Sequence, residues 1–476
     1  MASSSTASPA SAPPSLSFEQ TDKLGLSPFC QRLERYLIVE SGFVEGSLVV
    51  ALNAPFGGGK TTFLEMWKTD LLNRRQSPAG ETAFTAPMPV MLNAWESDYC
   101  GDPLVAILAG LLKAVDHWKG KDAPQPSEKA SLWESAKDVA WFSVSLANDV
   151  AAKPTGLNPV KAGEFAEKKK KERAAKTPDF ITLFNQRKDA LEKLKEQMAA
   201  TFSGTSTKVI VFVDELDRCR PDYAVSYLET IKHVFNVKGM IFVLAVDLHH
   251  LEVSTKSLFG SDLKFPEYFR KFSHRTFNLP EPEAGSIGTL LEEMVAKHVT
   301  RRGQRNSAFK GGDYLVRMTG PLVCAWRMTP RQLHEAFRIL GHSLAIEGVH
   351  GEMSTHNEVV SLAYLYLCLA YVGAPAVYKN LRQGGHSPDQ MRFLFQLSPL
   401  DYKSKANWAQ LYMTGTNSDF SNYDANTHDL MKKAVPDDEY PQYQKSFNIA
   451  LGHHPAPFKQ ICQRIENAIR FEDNAS

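Results

Sequence analysis

Residues 48–61 read Leu48-Val49-Val50-Ala51-Leu52-Asn53-Ala54-Pro55-Phe56-Gly57-Gly58-Gly59-Lys60-Thr61. An apolar run gives way to small residues, a lysine and a hydroxyl. Helical periodicity follows in Thr62-Phe63-Leu64-Glu65-Met66-Trp67. This is the pattern of a phosphate-binding loop between a strand and a helix. Small residues let the backbone curl so that successive N–H groups point inward at an anion. Lys60 can reach the β- and γ-phosphates of a nucleoside triphosphate, and the Thr61 hydroxyl can hold Mg²⁺. A helix starting at Lys60 adds its partial positive charge to the same site. Ala54, Pro55, Phe56, Gly57, Gly58, Gly59, Lys60, Thr61 and Thr62 are therefore the expected nucleotide-binding residues. One position departs from G-x-x-x-x-G-K-[ST]. Ala54 stands where the first glycine is expected, and alanine there requires φ < 0.

The partner of this loop lies at 209–218. Val209-Ile210-Val211-Phe212-Val213 is a continuous apolar run, as expected of a strand buried on both faces. It ends in Asp214-Glu215-Leu216-Asp217-Arg218. A carboxylate at a strand tip beside a phosphate loop is where Mg²⁺ needs an anchor, so Asp214 joins Thr61 as the expected metal residue. Glu215 is placed to orient and polarise an attacking water, the work of a general base. Either half alone has a plain structural explanation: a glycine-rich turn, or a buried strand entering an acidic turn. Both halves together, each at the end of a predicted strand, point to triphosphate hydrolysis.

The chain has 476 residues, enough for two or three domains. A formal net charge of +1 gives no bulk electrostatic argument for nucleic acid or an anionic membrane. Six cysteines (30, 100, 219, 324, 368 and 462) lack C-x-x-C spacing, which argues against a disulfide framework or a zinc site. Residues 1–16 are rich in Ser, Ala and Pro and read as a disordered lead, with neither the basic start nor the apolar segment of a secretory signal. The longest apolar stretch of note, Val139–Ala147, is about half of what a bilayer requires. The expectation is a soluble, cytoplasmic protein with no membrane segment.

Strand and helix patterns alternate along the first part of the chain. A helix is expected at 20–38, with Leu24, Phe29, Leu33, Tyr36 and Leu37 as its apolar stripe. Pro89–Asn93 reads as a strand and Pro103–Val115 as a helix. After an interval at about 120–180 comes a helix at 180–199, with Phe180, Leu183, Phe184, Leu191 and Leu194 on one side. A helix at Asp222–Phe235 leads to the buried strand Met240–Val246, which stops at Asp247, and Thr276–Leu279 reads as a last short strand. This alternation indicates an α/β fold, a parallel sheet flanked by helices. Right-handed crossovers put all strand C-termini on one edge, where Lys60, Asn93, Asp214 and Asp247 should converge. Asp247 reads either as a phosphate- or water-sensing group or as the N-cap of the helix after it.

Together these residues carry a family resemblance. Ala54–Thr61 resembles the Gly-x-Trp-Gly-x-Gly-Lys-Thr loop of the KAP family of P-loop NTPases, with Ala54 and Phe56 in place of Gly and Trp. Asn93-Ala94-Trp95 is similar to that family's Asn-Ala-Trp, and Asp214-Glu215-Leu216-Asp217-Arg218-Cys219-Arg220-Pro221 to its Asp-Asp-Leu-Asp-Arg-Cys-x-Pro. The resemblance covers about residues 20–340. It implies an ATPase of the additional-strand class, with ATP and Mg²⁺ as cofactors and Glu215 as the water-activating residue. Many members carry transmembrane helices between the phosphate loop and the Asp-Arg strand. Here that interval holds Trp133–Ala147 and then Lys168-Lys169-Lys170-Lys171-Glu172-Arg173, and reads as a soluble helical or mobile insert. The lysine run is a solvated helix face or a site for an acidic or nucleic-acid partner.

Arg270, Lys271 and Arg275 precede the last strand. In related switch ATPases a basic residue there touches the γ-phosphate of a neighbouring subunit, which implies a homo-oligomer and a cation for the transferring phosphoryl group. Thr329-Pro330-Arg331 resembles the family's Thr-Pro-Arg at the start of a lid helix, so Arg331 is the candidate lid sensor. The expected divisions are an NTPase domain at 17–285, a helical lid at 286–355 and a helical partner-coupling region at 356–476. The implied function is a Mg²⁺-dependent ATPase switch in a bacterial complex, with phage or plasmid defence as the setting and effector activity in a separate partner protein. The competing readings are a nucleotide-locked assembly scaffold and a nucleic-acid-stimulated motor.

Overall fold

Among the described residues, four largely apolar runs and one short polar segment form five parallel strands: β1 (Leu48–Asn53), β2 (Met88–Asn93), β3 (Val209–Asp214), β4 (Met240–Val246) and β5 (Arg275–Asn278). They belong to a computed structural model that describes residues 16–76, 86–118, 123–150, 180–203, 208–281, 287–299, 319–320, 322–350, 358–383 and 457–470. The lead before residue 16, the lysine run at 168–173 and residues 384–456 lie outside the described residues. The sheet order is β2-β3-β4-β1-β5. β3 and β4 are buried along their whole lengths, which is why their sequences are continuous apolar runs rather than alternating ones. β5 is a short exposed edge that begins at Arg275, one residue before the expected strand, and leaves Leu279 outside it.

β4 lies between β1 and β3, so this is the additional-strand arrangement. Asn53 is level with Val246, and Asn93 is level with Asp214. Two inter-strand spacings therefore separate the loop after β1 from the carboxylates after β3, about 10 Å in all. That gap accommodates a phosphate and a metal ion.

The helices of this part are α1 (Phe18–Thr21), α2 (Ser27–Glu40), α3 (Lys60–Gln76), α4 (Ala94–Asp98), α5 (Pro103–His117), α6 (Pro126–Val150), α7 (Phe180–Ser203), α8 (Pro221–His233), α9 (Leu248–Phe259) and α10 (Phe265–Phe269). The single helix expected at 20–38 is two helices. Gly25 adopts φ 68°, and the Asp22 carboxylate accepts the N–H groups of Leu26 and Ser27 at 2.8 Å, so the chain turns there and restarts. α3 carries the phosphate loop at its N-terminus and is wedged by aromatic contacts that run Phe29–Phe63–Trp67–Phe212 into the sheet. Trp67 Nε1 donates to Glu34 of α2, which also pairs with Arg74 at 2.6 Å.

α6 and α7 pack side by side, burying Leu132, Ala136 and Val139 with Leu194, Met198 and Phe202. Val139, the first residue of the apolar stretch within α6, thus joins the core. Phe184, expected on the buried side of its helix, is exposed. Among the described residues no helix is long and apolar enough to cross a membrane.

The chain divides into two compact units after Pro280, with Lys23–Gly25 joining the second. The second unit contains α11 (Ile287–His298), α12 (Pro330–His350), α13 (Glu358–Gly373), α14 (Pro375–Gln383) and α15 (Pro457–Arg470). They share one core in which Leu291, Phe337, Leu340, Tyr364, Tyr366 and Ile465 are fully enclosed. α12 opens with a reciprocal cap: Thr329 N donates to Gln332 Oε1, and Gln332 N to Thr329 Oγ1.

Candidate functional site

The loop after β1 owes its shape to its glycines. Gly57 and Gly59 adopt φ 78° and 95°, and a Cβ at Gly58 would lie 2.9 Å from the Pro55 carbonyl oxygen. Ala54 does not occupy the left-handed region. Its N–H donates to Val246 O at 3.1 Å, extending the β1–β4 ladder by one residue, so an alanine fits this corner without strain. The cradle formed is the shape in which backbone N–H groups hold phosphate.

Lys60 is buried, with its Nζ donating to Ala54 O at 2.7 Å and lying 3.6 Å from Asp217 Oδ2. Asp217 is itself buried and accepts the N–H of Asp247 at 2.8 Å. The lysine is thus held at the loop by one carboxylate beneath it. Asp247 combines two tasks. Oδ1 caps α9 by accepting His249 N and His250 N, and Oδ2 accepts Phe56 N at 3.2 Å. It is the N-cap foreseen as one alternative, and its second oxygen steadies the phosphate loop.

Asp214, at the tip of β3, is 3 % exposed. Burial pushes its pKa above the ordinary carboxylate value, while hydrogen bonds from the Thr61 hydroxyl and the Glu215 N–H favour its charged form. A hydroxyl and a buried carboxylate joined in this way are hard oxygen donors whose chemistry would suit Mg²⁺. Glu215 follows in a left-handed conformation, φ 59° and ψ 24°. Its Oε2 accepts Asn93 Nδ2 at 3.1 Å, and its Oε1 pairs with Arg218 Nη2 at 2.8 Å. The amide of Asn93 has a set orientation because its oxygen is committed to capping α4 through Trp95 N and Glu96 N.

Lys60, Thr61, Asn93, Asp214, Glu215 and Asp247 therefore gather at the C-terminal edge of the sheet. These elements combine an anion cradle, a cation, a pair of hard oxygen donors and an oriented carboxylate. Residues 28–344 match the KAP family P-loop domain. The chain belongs to the KAP family of P-loop NTPases. No curated protein matches the sequence. Among solved structures, the chain is similar to the Aeropyrum pernix ORC2 protein, described in ADPNP–ADP complexes, with 11% identity, 94% of each chain covered and a TM-score of 0.33.

In this KAP-family chain the cations ahead of β5 stand apart from the loop. Arg275 is level with Val50 and Asn278 with Asn53, so Arg270, Lys271 and Arg275 lie toward the opposite end of β5 from the phosphate loop. All three are exposed, and Lys271 Nζ rests 5.5 Å from the centre of the Tyr268 ring. Arg331 is exposed in the first turn of α12 and belongs to the second unit.

Several working residues escaped the sequence reading. Asp217 received no role, although it lies beside Lys60. Asn53 bridges strands by donating to Asn278 at 2.9 Å and accepting Leu248 N at 3.0 Å. The available signal was that β1, β2 and β5 each end in asparagine. Arg220 clamps α4 to α8 by donating through Nε and its backbone N–H to Asp98 at 2.9 and 3.0 Å. Cys219 is buried with its thiol pushed up to about 12, chiefly by desolvation, which makes it an inert packing group.

Proposed function

We propose that this chain is a Mg²⁺-dependent ATPase that acts as a nucleotide-driven switch. The observation that carries the reading is the gathering of Lys60, Thr61, Asp214 and Glu215 at one sheet edge. Lys60 would leave Ala54 O to neutralise charge on the β- and γ-phosphates, while the loop N–H groups hold the remaining oxygens. Thr61 and Asp214 would hold Mg²⁺, which supplies further charge neutralisation when bound. Glu215 orients the attacking water and accepts its proton, a contribution of about 10²–10⁴ in rate. Thr62 and Phe56 border the nucleotide, and Asp247 Oδ2 accepts the Phe56 N–H until phosphate competes for it.

Arg270, followed by Lys271, is the proposed cation acting on a second subunit, because its end of β5 is the wrong one for its own loop. Homo-oligomerisation is part of this reading. Arg331 is the proposed γ-phosphate sensor of the second unit, which would change its arrangement with nucleotide state. The setting we propose, a bacterial complex in phage or plasmid defence with effector activity in a partner protein, rests on the family alone.

The test is phosphate release by the purified chain, with and without DNA or RNA, beside Glu215→Gln. A loss of about 100-fold or more in the variant is expected. Equal rates in variant and wild type would overturn the assignment of Glu215. Stimulation by nucleic acid of about tenfold or more would replace the switch with a motor. Tight ATP retention without release would replace it with an assembly scaffold.

A further inference from the structure

A side-chain-bearing residue keeps a left-handed backbone only where its surroundings over-determine it. For Glu215 those surroundings are explicit. Its N–H donates to Asp214 Oδ1 at 2.9 Å, and its carbonyl accepts Arg218 N at 3.1 Å. The resulting tight turn brings Arg218 back over Glu215, where Nη2 meets Oε1 at 2.8 Å while Asn93 holds Oε2. Both carboxylate oxygens are engaged and the orientation of the group is fixed.

The guanidinium of Arg218 has two further neighbours. Its Cζ lies 4.9 Å from the centre of the Phe56 ring and 5.7 Å from that of Trp95, both within cation–π range. These rings are 51 % and 52 % exposed, so they do little for the core. Phe56 belongs to the phosphate loop, and Trp95 to the first turn of the helix that Asn93 caps. Arg218 is therefore where the phosphate loop, the start of α4 and the acidic turn meet.

We propose that Arg218 is a positioning residue, a latch between Phe56 and Glu215 that keeps the carboxylate parked until the loop takes up phosphate. Phe56 N donates to Asp247 Oδ2 at 3.2 Å and Gly58 N to Pro55 O at 3.0 Å, and an incoming phosphate would compete for both N–H groups. That competition shifts Phe56 relative to the guanidinium, loosens the Arg218–Glu215 pair and frees Oε1 to meet the attacking water. The proposal rests on Glu215 as the water-activating residue and adds what holds it back.

The test is steady-state ATP hydrolysis at saturating ATP, with ATP affinity measured separately by titration. Arg218→Ala should raise kcat about threefold or more with KM changed by less than about twofold, and Phe56→Leu should raise kcat about threefold or more whatever its effect on KM. Arg218→Lys, which keeps the charge without the planar fork, should fall between wild type and Arg218→Ala. Glu215→Gln placed in the Arg218→Ala background should erase the gain. A readout independent of turnover is the emission of Trp95 on adding ADP, taken as the difference between wild type and Trp95→Phe. That difference should change with nucleotide in wild type and stay constant in Arg218→Ala. An unchanged or lowered kcat in both Phe56→Leu and Arg218→Ala, with ATP affinity retained, overturns the latch alone. A gain that survives Glu215→Gln also overturns it. A Glu215→Gln single variant with wild-type turnover removes the water-activating assignment, and the latch falls with it.

Discussion

Asp214 bears a burial cost in the free protein. Its folded-state pKa is raised by desolvation, so its favourable contribution is present at low pH, where the group is protonated. It is lost as pH rises from the ordinary carboxylate value through the raised one. Asp214→Asn removes the charge without removing volume. The metal-free variant should melt higher at neutral pH by ~2–4 °C, on the order of 1 kcal/mol, with the advantage vanishing near pH 4. Differential scanning calorimetry across pH checks this, and the variant should also lose Mg²⁺-supported hydrolysis. Ala54 allows an opposite kind of test. Its backbone avoids the left-handed region and its N–H lies in the ladder with Val246, so a glycine brings no conformational benefit. Ala54→Gly should cost about 0.5–1 kcal/mol in denaturant unfolding and leave nucleotide affinity within about twofold.

Among the elements, α12 depends most visibly on a single small residue. A Cβ at Gly341 would run into the backbone carbonyl of His298 at the end of α11, and backbone cannot step aside as a side chain can. Gly341→Ala should destabilise the second unit by about 1–3 kcal/mol, the usual cost of overpacking, seen as a lowered thermal transition. The opening of the same helix was legible in advance. Thr329-Pro330-Arg331 marks a helix start, and Thr329 and Gln332 cap it reciprocally. The break between α1 and α2 is encoded by Asp22 and Gly25, but an apolar stripe that continues across it hides it in the sequence. At β5 the edge strand is too exposed to show the apolar run that marks β3 and β4, so its start shifted by one residue.

For the molecule as a whole, the strand order separates two classes of cation. Lys60 lies at the phosphate loop of its own chain, whereas Arg270 lies toward the other end of β5. On the proposal that Arg270 completes a neighbouring site, Arg270→Ala and Lys60→Ala should each be inactive alone. An equimolar mixture should recover about a quarter of wild-type phosphate release when subunits exchange at random, since half the chains keep Lys60 and half of their neighbours keep Arg270. Absence of recovery under conditions where mixed oligomers form would remove the in-trans role.

The sequence by itself determined the five strands, the loop and the carboxylates at their ends, because each is declared by local periodicity or by residues adjacent in the chain. Only the tertiary structure decided which ends meet. Asn93 and Glu215 are 122 residues apart, and Phe56 and Asp247 are 191 apart. Their hydrogen bonds exist because β3 lies beside β2, and β4 beside β1. That order is set by the burial of whole strand faces, a global balance that no short stretch of residues records. The same holds for Asp217 beside Lys60 and for Arg218 between two aromatic rings, whose roles come from neighbours supplied by other strands.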